Sequence, residues 1–389
     1  RGAERRAVST DDRNTDDRNT SDGGTTGADR TDPAAADGGP IIAVIGARGF
    51  VGRAVLDAAA RRGVTARAAA IDRVTGVAPP TLLDGDVAAA ARRWRDAHPG
   101  GWARLVSALR GADAVINAAG AAAPDSDDVA SLWSANVILP TLLADAAAEA
   151  GCHRLVHVSS AAALGSTPIL DDRPADPTVD LSPYARSKAR GELALAHRPT
   201  PRPEIVVYRP TSVMGPDRST TQRLVRRFAR RTVPAGSPDT PLPLAQIGNV
   251  ADAAVFLAVA ETVPPIATHP DEGMTVCRFA ELCGGTVRAV PRPLARAAGR
   301  SLTVAATRVP RLAGARRRVE LLLDGQLSAA HALTAHGWSP PLGADGWPAL
   351  VQAAAGRAPD TGIRMAYVIT RSDTVAGAQI HVRDLAEAM

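Results

Sequence analysis

From residue 41 onward the chain alternates short apolar runs with longer stretches in which apolar residues recur at helical spacing. Ile41-Ile42-Ala43-Val44-Ile45 is a β-branched run bounded by Pro40 and Gly46. A continuous apolar run of this length suits a parallel strand covered on both faces. Ala66–Ile71, Ala114–Asn117, Arg154–Ser159 and Ile205–Arg209 read as further strands. Helical patterning predicts helices from Ala54, over 128–150, 183–197 and 250–260. This alternation predicts an α/β fold on a doubly wound parallel sheet.

Residues 1 to about 40 lack the pattern. They are Asp, Arg, Thr, Gly and Ala, with Asp-Asp-Arg-Asn-Thr repeated at 11–15 and 16–20. With almost nothing to bury, this stretch is expected to be a disordered tail. The whole chain has 389 residues, 45% hydrophobic and 22% charged, long enough for a large core and one or two domains. Cys152, Cys277 and Cys283 show no metal-ligand spacing and are too few for a disulfide framework, so a reducing, cytoplasmic setting and no metal are expected. The net charge of +5 is modest and aromatics are 3%, which argues against a nucleic-acid partner. No run reaches the ~18 apolar residues of a membrane span, and no signal peptide opens the sequence.

Chemistry concentrates in two places. Ile45 leads into Gly46-Ala47-Arg48-Gly49-Phe50-Val51-Gly52 and then a helix-forming segment. Strand, glycine turn and helix in succession is the setting of a dinucleotide fingerprint, in which backbone amides meet a pyrophosphate at the helix N-terminus. Here the spacing is Gly-x-x-Gly-x-x-Gly, and a β-branched side chain at Gly49 is expected to occupy the pyrophosphate's approach. The second place is Tyr184-x-x-x-Lys188, where Lys188 is the single lysine among 45 basic residues. Four residues apart on a helix, the two side chains share a face. An ammonium beside a phenol favours the phenolate and makes Tyr184 a usable acid/base.

These residues carry a family resemblance. In order they are Gly46-x-x-Gly49-x-x-Gly52, Asp86-Val87, Asn117-Ala118-Ala119-Gly120, Asn136, Val158-Ser159-Ser160, Tyr184-x-x-x-Lys188 and Tyr208-Arg209-Pro210-x-x-Val213-Met214-Gly215-Pro216, followed by Asp324 to Pro340. The chain over 41–358 resembles an extended short-chain dehydrogenase/reductase of the NAD-dependent epimerase/dehydratase type. The resemblance implies a Rossmann-type sheet with a smaller, interwoven C-terminal part, mainly 210–358, that binds substrate. It implies Ser160, Tyr184 and Lys188 as catalytic residues. It places the cofactor on Gly46, Gly49, Phe50, Val51 and Gly52, on Asp86 and Val87 beside the adenine, and on Asn117, Ala118 and Ala119 beneath. It adds Tyr184, Lys188, Arg209 and Val213 near the nicotinamide, Arg209 being also readable as a buried structural residue. Asp72, 20 residues after Gly52, could accept the ribose hydroxyls of NAD, although the family position falls nearer Ala70; Arg73 could take the 2′-phosphate of NADP. NAD is expected, NADP an alternative.

The implied substrate is a small molecule, a nucleotide sugar, epimerised at C4 or reduced from its 4-keto form. A homodimer stays open. Gln246 and Leu164 depart from the family pattern, where an Arg and a Tyr are common. A hydrophobic, sterol-like ketone is therefore an alternative substrate, and a non-catalytic NAD(P) sensor an alternative role. Arg223, Arg226, Arg227, Arg230 and Arg231 offer either an anion clamp or a solvated helix face. Residues 362–389 resemble the opening of a glycosyltransferase built from two Rossmann-like domains, which leaves a fused glycosyltransferase open.

Overall fold

The computed structural model describes residues 39–75, 85–121, 128–179, 181–198, 202–230, 232–291 and 319–356. The expected tail, Arg231 and the 362–389 segment lie outside these residues. β1 (Ile41–Ile45), β2 (Thr65–Ala69), β3 (Ala114–Asn117), β4 (Arg154–Val158), β6 (Glu204–Arg209) and β10 (Ile266–Thr268) form one parallel sheet in the order β10-β6-β4-β3-β1-β2. The five expected strands are present, shifted by a residue or two at their ends. The two-residue β5 (Ile169–Leu170) stands apart and pairs with β12 (Leu327–Ser328).

Period-2 alternation sorts the strand residues onto two cores. Ala43, Ile45, Val115 and Leu155 face α2 (Val87–Ala97), α3 (Pro99–Leu109) and α5 (Leu139–Ala150), among Trp94, Leu109, Trp133 and Leu143. Ile42, Val44, Ile116 and Val156 face α1 (Phe50–Arg61) and α8 (Ile247–Val259). Covering both faces makes the fold doubly wound and explains why Ile42 to Ile45 are fully buried.

The expected helix over 128–150 is α4 (Val129–Trp133), a π-helical turn (Ser134–Ile138) and α5. Pro140 has no N–H to donate to the Asn136 carbonyl four residues back, which accounts for the widened turn. The run Val129–Ala150, 22 residues with an 18-residue stretch of mean hydropathy 1.3, is long and apolar enough to cross a membrane by length and composition. Its most apolar stretch is 72% buried inside the protein, as in a core helix.

After β6 the chain builds a second, smaller core. β7 (Ser212–Met214) pairs with β9 (Leu244–Gln246), and β8 (Thr232–Ala235) with β11 (Thr286–Ala289). Phe228 of α7 (Ser219–Arg230), Phe279 of α9 (Val276–Cys283) and Trp347 fill the space beside them. α8 and β10 return to the main sheet, so the two parts are interleaved in sequence.

Candidate active site

Strand order reverses at β1, whose neighbours are β2 on one side and β3 on the other. At such a switch point the connections diverge and leave a crevice at the C-terminal edge. A cleft of about 840 Å³ lies there, bounded by Gly46 to Arg48, Ala68 to Thr75, Ala119 to Ala121, and Ser131 and Ala135.

The glycine turn is shaped by close approach. Gly46 has φ +77°, and a Cβ on it would stand 2.7 Å from the Ala119 nitrogen. A Cβ on Gly52 would fall 2.2 Å from the Gly46 oxygen, so this glycine seats α1 against the turn. Gly49 instead has φ −77° and donates its N–H to the Gly46 carbonyl at 2.8 Å. The positive φ therefore belongs to Gly46. α1 begins without a side-chain cap or an acidic residue in its first turn, so its N–H groups and dipole are free for an anion. These features fit a dinucleotide. Gly46, Gly49 and the first turn of α1 would hold its pyrophosphate.

Other expected cofactor residues have different tasks. Phe50 lies against Gly215 and under the guanidinium of Arg218, 5.2 Å from its ring centre. Val51 packs against the α1–α8 core. Asp86 caps α2, accepting the Ala89 N–H at 2.9 Å, a bond that lowers its pKa; Val87 is buried behind it. Neither is among the residues that bound the cleft. Asn117 is buried, accepting the Ala119 N–H at 3.1 Å and reaching His157 Nδ1 at 3.0 Å. It braces the turn on which Ala118 and Ala119 sit. Asp72 and Arg73 do line the cleft, but Asp72 is bound by Arg104 at 2.5 Å.

Arg209 is fully buried. Its Nη2 donates to Glu192 at 2.5 Å and its Nη1 to the Arg173 carbonyl at 2.7 Å. Glu192 also accepts from Ser159. Its guanidinium thus compensates a buried carboxylate, which fits the structural reading of Arg209. Val213 is buried in β7 opposite Ala245 and offers its carbonyl to Arg218. Gln246 is buried too, its amide donating to Glu272 and to the Leu342 and Gly343 carbonyls, so it faces no ligand. Leu164 is buried beside Leu170. Arg223, Arg226, Arg227 and Arg230 lie on the exposed face of α7.

The expected catalytic residues converge. Ser160 follows β4 and caps the 3₁₀ turn Ala161–Leu164, accepting the Ala162 N–H at 3.2 Å. Tyr184 is the second residue of α6 (Pro183–Ala196), which Ser182 caps. The Ser160 hydroxyl acts on the Tyr184 phenol, lowering its pKa. Burial raises the Tyr184 pKa, opposed by that hydroxyl and by the Arg218 charge. Lys188, one turn on, is buried with Nζ donating to the Val158 carbonyl at 3.2 Å; burial pushes its pKa down to about 8, against Glu192. The Arg218 charge, 34 residues away in sequence, also favours the Tyr184 phenolate, where the spacing pointed to Lys188. Sequence reading missed Arg218 as a site residue. Asn136 was noted only as a motif residue. Its amide holds Ala121 in both directions and donates to Ser187 Oγ at 2.9 Å, and Ser187 donates to the Tyr184 carbonyl at 2.7 Å. One side chain thus ties the cleft floor to the Tyr184 helix. Among the described residues, no group of three or more His, Cys, Asp or Glu could hold a metal.

A parallel sheet with a glycine-lined cleft at its switch point is the architecture of the short-chain dehydrogenase/reductase class. The chain belongs to the NAD dependent epimerase/dehydratase family, whose sequence profile matches residues 42–261, more than half its length. It is accordingly an NAD(P)-dependent enzyme of the extended type. No curated protein matches. Among solved structures, the human epimerase family protein SDR39U1 (isoform 2), solved with NADPH, is 20% identical with a TM-score of 0.56, covering 82% of this chain and 100% of its own. UDP-glucuronic acid 4-epimerase from Bacillus cereus, solved with NAD, is 16% identical at TM-score 0.54, over 81% and 96%. UDP-N-acetylglucosamine 4-epimerase from Methanobrevibacter ruminantium M1, in complex with UDP-N-acetylmuramic acid, is 16% identical at TM-score 0.52, over 82% and 97%. At these identities the likeness is one of fold.

Proposed function

We propose that the protein acts at a carbon–oxygen centre of a nucleotide-linked sugar, with Tyr184 as acid/base, as a 4-epimerase or 4-keto reductase. The observation that carries this reading is the placing of Ser160 at the end of β4 and of Tyr184 at the start of α6, with Ser160 and the Arg218 charge both acting on the phenol. The bound dinucleotide supplies or accepts hydride. Because burial raises the Tyr184 pKa, the neutral phenol is the resting form and holds a proton ready to donate. Ser160 orients the accepting oxygen, and Arg218 stabilises the phenolate left behind. Lys188 presents a buried ammonium next to Gly120, where a Cβ would stand 3.1 Å from its Nζ, and so fixes the floor of the site.

The nucleotide-linked substrate is supported by Arg218. Its guanidinium is half-buried, bonds the Val213 carbonyl at 2.7 Å and has no carboxylate partner among the described residues. A diphosphate would meet that charge. The test is incubation with UDP-glucose, UDP-glucuronic acid and UDP-N-acetylglucosamine plus NAD(H) or NADP(H), following cofactor absorbance and sugar products by NMR. Epimerisation leaves the cofactor redox state unchanged, whereas reduction consumes it in step with product. Arg218→Met should raise KM for the nucleotide sugar and move the Tyr184-dependent limb of the pH profile upward. Reduction of hydrophobic ketones with no response to any nucleotide sugar would overturn the substrate class.

A further inference from the structure

His157 is fully buried near the end of β4, one residue before the Val158 carbonyl that holds Lys188. The register sets it beside Asn117 at the end of β3. Both share a strand face with Val115 and Leu155, two residues earlier on each strand, which face the layer of α2, α3 and α5. Burial and the Lys188 charge both push the His157 pKa well below the ordinary histidine range, so the ring is neutral.

The hydrogen bonds around Asn117 fix which ring nitrogen carries the proton. Asn117 Oδ1 accepts the Ala119 N–H at 3.1 Å, which turns its Nδ2 toward His157 Nδ1 at 3.0 Å. An amide nitrogen only donates, so Nδ1 accepts and the neutral imidazole carries its proton on Nε2. That Nε2 is buried and has no hydrogen-bond partner among the described residues. A buried, unpaired N–H costs free energy that a leucine at this place would avoid. The imidazole, unlike leucine, offers the Asn117 amide an acceptor.

We propose that His157 is a positioning residue for the cleft: its Nδ1 lone pair holds the Asn117 amide in one orientation, and Asn117 in turn holds the Ala119 N–H and the turn on which a dinucleotide rests. Ala119, Gly120 and Ala121 line the cleft. The turn has little room to shift, since a Cβ on Gly46 would stand 2.7 Å from the Ala119 nitrogen and one on Gly120 3.1 Å from Lys188 Nζ. Without the acceptor, Nδ2 is left unpaired inside the protein. The amide then turns to find a partner, and Oδ1 leaves the Ala119 N–H. Where it concerns affinity, the inference rests on the dinucleotide reading of the cleft.

Three measurements on the full chain test this. In protein carrying isotopically labelled histidine, the ring carbon shifts of His157, assigned from their loss in either variant below, should report the Nε2–H tautomer. In His157→Leu, hydrogen exchange over residues 118–121 should quicken by a factor on the order of 10, as for loss of one hydrogen bond. NADH and NADPH should each bind about tenfold more weakly to that variant by calorimetry. His157→Asn sets an amide oxygen close to the position of Nδ1 and should bring exchange and affinity back to within about threefold of wild type. A merely structural role would lower urea stability in both variants without separating them in exchange or affinity. An Nδ1–H tautomer, exchange and affinity in His157→Leu equal to those of wild type, or no recovery in His157→Asn overturns the inference and leaves the dinucleotide reading standing. Failure of the wild type to bind either dinucleotide overturns that reading, and the tautomer and the exchange rates then decide the role of His157 alone.

Discussion

Replacing Lys188 by Met should change how the stability of this protein depends on pH. The ammonium is enclosed, and burial brings its pKa from 10.5 to about 8 despite Glu192 nearby. Below about pH 8, Lys188 is protonated in both the folded and unfolded chain, and folding carries the full cost of burying a charge. Between about pH 8 and 10.5 the folded protein releases its proton first; the unfolded chain binds more protons there, so stability rises with pH. The difference between 10.5 and about 8, at about 1.36 kcal/mol per unit, amounts to about 3 kcal/mol. Met is uncharged throughout and lacks this contribution. The raised thiols of Cys152, Cys277 and Cys283 and the raised phenols of Tyr184 and Tyr208 pull the opposite way at alkaline pH. They are common to both proteins and cancel in the comparison. Urea unfolding of wild type and Lys188→Met from about pH 7 to about pH 10, by linear extrapolation, gives the stability gap directly. The variant's advantage should fall by about 3 kcal/mol across that range. Because Lys188 is the sole lysine, no other side chain of its type titrates in this window. A gap independent of pH would refute the buried-ammonium account.

Tyr184→Phe should retain dinucleotide binding by calorimetry and lose turnover by a factor on the order of 10²–10⁴, as for removal of a general acid/base; unchanged turnover would remove Tyr184 from the chemistry. Gly46→Ala combines a positive φ with a Cβ 2.7 Å from backbone and should cost roughly 2–5 kcal/mol in chemical denaturation. Gly49→Ala, at φ −77° with one contact at 3.1 Å, should cost clearly less; equal losses would contradict the turn geometry. Arg209→Met leaves Glu192 charged and buried and should destabilise by roughly 3–5 kcal/mol, with Arg209→Met/Glu192→Leu recovering most of it; no recovery would mean that the pair is not what Arg209 supports.

The sheet was legible because its strands are local patterns. Five short apolar runs separated by helical stretches specify alternating β and α, and that alternation leaves few arrangements other than a parallel sheet covered on both faces. Tyr184 and Lys188 could be placed on one helix face from spacing alone, since an i, i+4 pair is fixed by helix geometry. The glycine turn was legible as a turn. Which glycine bears the positive φ was not, because that depends on how near Ala118 and Ala119 of another connection approach.

The sequence by itself determined the fold class and the position of the dinucleotide turn, and it singled out Ser160, Tyr184 and Lys188 as candidates. Tertiary structure decided which charges are free. Asp72 is committed to Arg104 from α3, Arg209 to Glu192 from α6, and Gln246 to Glu272 and the 342–343 backbone, while Arg218 is left to act on Tyr184. Periodicity is a property of neighbours along the chain, and a sequence displays it. The electrostatics of a site are a property of neighbours in space, where one ion pair between distant segments turns a candidate ligand into a structural brace.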